Sequence, residues 1–114
     1  MDVEHLREYC LRDRDDTEST PFDQDTLVFK VHNKMYCLCS IGSFTGINVK
    51  CDPEIAEELR ANYIAVEPGF HMNKKHWNTV KVNQDVDDIH LLKMVDDSYY
   101  LIFASLPKKV RDNS

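Results

Sequence analysis

Apolar and polar residues alternate from Leu27 to His32, with Leu27, Phe29 and Val31 on one side and Val28, Lys30 and His32 on the other. A period of two is the signature of a strand with one buried face. Asn33-Lys34 reads as a two-residue hairpin turn, because asparagine tolerates positive φ. Met35 to Ser40 then returns as the partner strand. Pairing His32 with Met35 sets Phe29 opposite Leu38 and Val31 opposite Tyr36. The second face then collects Val28, Lys30, His32, Met35, Cys37 and Cys39, since opposed residues share a face. Ile47 to Cys51 is a third strand with Ile47 and Val49 inward and Asn48 and Lys50 outward. Tyr63 to Val66 and Trp77 to Val82 read as the fourth and fifth.

Three stretches follow a helical rhythm instead. Residues 2–12 place Val3, Leu6, Cys10 and Leu11 at helical spacing. Asp52-Pro53-Glu54 combines a capping aspartate, a proline at the first helical position and an acid near the positive helix end. It predicts a helix running to about Asn62 that buries Ile55 and Leu59. From Asp87 to Leu106 a stripe of Ile89, Leu92, Val95, Tyr99, Ile102 and Leu106 predicts a long helix that Pro107 ends, with Asp96-Asp97-Ser98 as a place where it could break in two. The order is α-β-β-β-α-β-β-α. Hairpin-linked strands, rather than alternating βαβ units, make the class α+β: one domain over residues 1–114, a mainly antiparallel sheet, helices on one face and the other face open to water. Residues 1–12 are the leading helix, 13–25 an acidic linker, 26–106 the body and 107–114 a polar tail.

At 114 residues the chain suits a single modest core. The net charge of −6 resides entirely in residues 1–25, which hold nine acids against three arginines; the remaining residues carry eleven of each sign. A balanced body behind an acidic lead lacks the basic surface that strong nonspecific nucleic-acid binding requires. The absence of a long apolar run argues against a transmembrane helix, and the leading residues lack the apolar core of a secretion signal. A cytoplasmic monomer with no membrane partner is expected. There the four cysteines, Cys10, Cys37, Cys39 and Cys51, stay reduced. Their spacing fits small apolar fillers better than a metal site, so neither a disulfide nor a metal is expected.

Chemistry-bearing side chains concentrate in one place. Pro68-Gly69 is followed by His71, Asn73, Lys74, Lys75, His76 and the lone tryptophan, Trp77. As a metal site the His71/His76 pair is short of ligands. As an anion or nucleic-acid contact the set is coherent: the lysines supply charge, the histidines and Asn73 hydrogen bonds, and Trp77 a stacking plane. A purely structural reading stands beside it, with Trp77 in the core, Asn73 holding a turn and His71 capping a loop carbonyl. Lys30, Lys50, Thr79 and Lys81 extend the binding set across the open sheet face. Catalytic signatures such as a Gly-x-Ser-x-Gly elbow, a phosphate loop or His-Glu-x-x-His are missing. A Cys37 or Cys39 nucleophile would depend on His32 as base. The chain is therefore expected to bind without catalysis and without a cofactor.

Pro21-Phe22, Leu27–Val31, Lys34-Met35, Asn48–Pro53, Leu59-Arg60, Pro68–Val80 and Ser98-Tyr99 run in order over nearly the whole chain. Together they resemble the MmcQ/YjbR family of small bacterial proteins. The stretches around Asn48–Pro53 and Gly69–Val80 carry most of the specificity. The family pattern has glycine after the Pro-Phe pair and at the first hairpin turn, where this chain has Asp23 and His32-Asn33. The resemblance implies a CyaY-like fold similar to that of type III secretion chaperones. It also implies a DNA-binding role, the label commonly attached to the family, with Lys30, Lys50 and the His71–Trp77 cluster at the matching positions. Two functions follow: weak DNA binding through the open face and the Gly69–Trp77 loop, or a chaperone-like protein-interaction module. A continuous basic strip would favour the first, an exposed apolar groove the second.

Overall fold

A computed structural model of the chain describes residues 1–12, 16–70 and 72–112. The alternating segments form one antiparallel sheet of six strands: β1 (Thr17–Ser19), β2 (Thr26–Val31), β3 (Lys34–Ser40), β4 (Gly46–Lys50), β5 (Val66–Pro68) and β6 (Trp77–Lys81), in spatial order β1-β2-β3-β4-β6-β5. The helices are α1 (Val3–Leu11), α2 (Pro53–Asn62), α3 (Asp88–Ala104) and α4 (Lys108–Asp112). The α+β class and helix-covered sheet match the pattern of the sequence. No helix among the described residues is long and apolar enough to cross a membrane.

The order gains two elements. The stretch expected as an acidic linker contains β1, because Glu18 faces the helices and receives Arg7 of α1 at 2.7 and 2.5 Å. Within the tail, Lys108–Asp112 forms the short α4 behind Pro107. The strand expected at Tyr63–Val66 lies later, at Val66–Pro68. The Asp85 carboxylate accepts the backbone N–H groups of Ile64 (2.7 Å) and Ala65 (2.8 Å), which holds those residues in a turn.

The hairpin corrects the expected register. The turn is His32-Asn33, with φ of 47° and 67°, so both central residues adopt the left-handed conformation that such a turn demands. Val31 pairs with Lys34 and Lys30 with Met35; beyond them Phe29 pairs with Cys37, Val28 with Leu38 and Leu27 with Cys39. Tyr36 is thus an extra residue in β3, a bulge that reverses the facing of everything after it. Tyr36 stays on the helix side and Met35 on the open side, as the alternation predicts. Cys37 and Cys39 move beneath the helices, and Leu38 moves out to the open face.

Phe29, Tyr36, Leu6, Ile47, Leu91, Val80 and Val95 are fully buried between the helices and the sheet. The buried stripe of α3 is Leu91, Met94, Val95, Ser98 and Ile102, rotated from the expected one, and Ile89 is left 79% exposed. Helix α3 runs unbroken through Asp96-Asp97-Ser98. Ser98 explains the rotation: its buried Oγ accepts the Lys50 N–H (2.8 Å) and donates to the Tyr36 carbonyl (2.6 Å), stitching α3 to both β3 and β4. In α2 the buried residue is Ala56, whereas Ile55 is half exposed and Leu59 only partly buried.

Candidate functional site

The loop between β5 and β6 is built by backbone necessity. Pro68 closes β5, and Gly69 lies so close to β6 that a Cβ there would stand 2.8 Å from Trp77 Cβ and 2.9 Å from the Trp77 carbonyl oxygen. Asn73 closes the loop: its Oδ1 accepts the N–H groups of Lys75 (3.0 Å) and His76 (3.3 Å), and its carbonyl accepts that of Trp77 (2.9 Å). Arg60 of α2 reaches in to donate to the Lys74 carbonyl, to the Trp77 carbonyl at 3.2 Å and to the Asn78 side chain at 2.7 Å. Lys74 folds back, its Nζ donating to the Gly69 carbonyl at 3.2 Å, while Lys75 stays exposed and His76 half-buried. His71 lies outside the described residues.

The rest of the expected set meets on the open sheet face. Strand pairing places Lys30, Lys50, Trp77, Thr79 and Lys81 there together. Their availability differs. Trp77 is only 8% exposed and offers no free stacking plane. Lys81 is paired with Glu67 at 3.1 Å. Thr79 is occupied: its hydroxyl donates to Asn48 Oδ1 (2.6 Å) and accepts the Phe70 N–H (2.9 Å). Lys30 and Lys50 are half-buried, with no carboxylate in reach among the described residues.

That Phe70–Thr79–Asn48 relay hangs the loop over the sheet and creates a feature that sequence reasoning missed. A groove of ≈ 600 Å³ lies on the open face, lined by Phe22, Thr26, Met35, Leu38, Cys39, Ser40, Asn48, Phe70 and Met72. Phe22 and Phe70 bracket it and remain 66% and 67% exposed. The lower rim is fixed by Asp25, which accepts the Ser40 hydroxyl and the Gly42 N–H (2.7 Å), and by Asp23, which accepts the N–H groups of Thr26 (2.7 Å) and Asp25 (2.8 Å). The signal that could have found the groove was Phe22 itself, a large aromatic stranded among polar residues with no apolar periodicity to join.

Cys37 and Cys39 share the helix side with Cys10, and all four cysteines are free. The Cys37 thiol is pushed well up by its hydrogen bond with Cys10 and by burial; burial, then Cys10 and Asp25, take Cys39 up to about 12. Burial and then Asp52 and Asp97 raise Cys51. Such thiols stay protonated and are poor nucleophiles. His32 sits in the hairpin turn, its ring 6.4 Å from that of Phe103. Among the described residues, no group of three or more His, Cys, Asp or Glu side chains is disposed to hold a metal.

Comparison with known proteins places this architecture. The YbdF protein of Escherichia coli O157:H7 is 33% identical over 90 residues, 78% of this chain and 74% of its own. The YjbR protein of Escherichia coli K12 is 29% identical over 112 residues, 97% of this chain and 95% of its own. Among solved structures, Deinococcus radiodurans protein DR2400, a DUF419 domain, superposes with a TM-score of 0.93 at 36% identity, over 98% of this chain and 86% of that one. A Pseudomonas syringae protein superposes at 0.75 and 25% identity, over 89% of this chain and 98% of its own. The YjbR family model matches residues 14–101, and the chain belongs to the YjbR family.

Proposed function

We propose that this protein is a non-enzymatic protein-interaction module that docks apolar side chains of a partner into the groove on its open sheet face. One observation carries the reading: two phenylalanines, each two-thirds exposed, bracket an apolar groove of ≈ 600 Å³. Exposed apolar concavities of this size are uncommon on a surface with no partner, and methionines at the rim suit adaptable packing. Two of the five lysines that would favour DNA are engaged elsewhere, Lys74 on a loop carbonyl and Lys81 on Glu67. Trp77 is too enclosed to stack on a base.

Selection of a random displayed peptide library on the intact protein tests this reading. Enriched peptides, titrated by fluorescence anisotropy, should carry aromatic or aliphatic anchors. Phe22→Ser and Phe70→Ser, both at exposed positions, should each weaken them about tenfold, the scale of an interface anchor. Oligonucleotides are titrated in parallel at low salt. Binding of DNA that Lys74→Ala with Lys75→Ala removes, and that the phenylalanine variants leave intact, would replace this reading with the nucleic-acid one.

A further inference from the structure

The groove has two electrically different ends. Lys30 is the cross-strand partner of Met35, which lines the groove, and Lys50 lies two residues beyond Asn48 on the same face. The two lysines stand on β2 and β4, either side of β3 at its Met35–Tyr36 end. Two interstrand steps separate them by roughly 10 Å. Neither ammonium has a carboxylate partner among the described residues. At the other end, Asp23 and Asp25 fix the rim at Thr26, Ser40 and Gly42. An apolar trough therefore runs between a pair of lysines and a pair of structural carboxylates.

Both sheet edges also bear on how a partner binds. The outer strands β1 and β5 are three residues each, and β5 ends in Pro68, which has no N–H to offer. Short edges, one of them blunted by proline, are poor templates for strand addition. Side chains entering the face remain as the source of affinity, and charge sets their direction.

Resting on the groove reading above, we propose that the partner is a peptide segment whose apolar anchors are flanked on one side by acidic residues, and that these lie against Lys30 and Lys50. Opposite charge at a rim chiefly fixes orientation and discriminates between partners, because a reversed segment would put its acids on Asp23 and Asp25.

The test uses three labelled peptides with the same two phenylalanine anchors: one with a Glu-Glu flank, one with a Lys-Lys flank and one with a Ser-Ser flank. Anisotropy is read at low and high salt on the full chain. The acidic peptide should bind about tenfold more tightly than the serine peptide at low salt, the sum of two exposed ion pairs, and lose most of that margin at high salt. Lys30→Glu with Lys50→Glu should invert the order of the acidic and basic peptides. Phe70→Ser should weaken all three alike. If all three bind in a Phe70-dependent way with no charge preference, or the basic one binds best, the charge inference fails and the groove reading stands. If none depends on Phe70, the groove reading itself falls.

Discussion

Arg60 donates its Nε–H to Asn78 Oδ1 at 2.7 Å, joining the last turn of α2 to a side chain with no solvent exposure near the start of β6. The same guanidinium holds the carbonyls of Lys74 and Trp77, so one residue fixes both ends of the loop segment that precedes the strand. Among the described residues the Asn78 Nδ2 has no partner, so the bond from Arg60 is the one its side chain makes.

Arg60→Ala should therefore cost more than its half-exposed position suggests. A buried amide left with no hydrogen bond is destabilising by about 1–3 kcal/mol, and loosening the loop adds to it. Urea unfolding should give a loss of about 2–3 kcal/mol. Arg60→Lys should recover little, since one ammonium cannot span the three acceptors that the planar guanidinium reaches.

Gly69→Ala tests the close approach of loop and strand. The added methyl meets Trp77 Cβ and the Trp77 carbonyl oxygen, and neither can swing away. Overpacking of this kind costs about 1–3 kcal/mol. Denaturant melts should show that loss, and the amide resonances of Phe70 and Thr79 should shift as the loop lifts from the sheet.

Much of this arrangement was legible in the sequence, and the misses share a physical origin. The alternation at Leu27–Val31, the Asp52-Pro53 cap and the helical spacing from Asp87 each encode an element locally. Face and register depend on longer-range events. One extra residue at Tyr36 put Leu38 on the open face and Cys37 and Cys39 in the core. Ser98 turned α3 because its hydroxyl bonds two strands at once, a role no hydrophobic stripe encodes. The lysines of the open face were readable from alternation. The groove was not, since it needs loop residues Phe22 and Phe70 brought over strands distant in sequence.

Ser98→Ala removes both hydrogen bonds of that hydroxyl. The Lys50 N–H and the Tyr36 carbonyl lose the hydroxyl that joins them, and stability should fall by about 1–3 kcal/mol in urea or thermal unfolding. Ser98→Val, which adds a methyl at a fully buried site and cannot hydrogen-bond, should fare no better than alanine.

The thiols should be slow to react in the native protein. Cys10, Cys37 and Cys39 are buried, and Cys51 is the one partly accessible. With a chromogenic disulfide reagent near neutral pH, one thiol per chain should react slowly and the other three only in denaturant. Chelator or reductant alone should leave the melting temperature unchanged; a drop of several degrees with chelator would mean that the cysteines hold a metal.

Acid should destabilise the fold in a defined window. Hydrogen bonds from Arg7 hold Glu18 below its ordinary 4.5, and backbone N–H groups of Thr26 and Asp25 hold Asp23 below 3.8. At Asp85 desolvation pulls upward, but the N–H groups of Ala65 and Ile64 together outweigh it and hold the carboxyl low. A lowered folded-state value gives stability that is complete above the unfolded value and lost as pH falls through the folded one. The melting temperature should be flat above about pH 5 and decline below about pH 4. Asp85→Asn should lower the plateau and make the decline shallower.

The bulge at Tyr36 also bears on how family members are compared. Met35 and Leu38 are an odd number of residues apart, yet both line the groove; in an unbroken strand they would face opposite ways. A one-residue deletion in this hairpin would therefore exchange inside for outside beyond it, with no change in the letters that remain. Relatives aligned column by column could show the same apolar residue while presenting it to opposite sides. An insertion or deletion here would change what the surface recognises more abruptly than any single substitution.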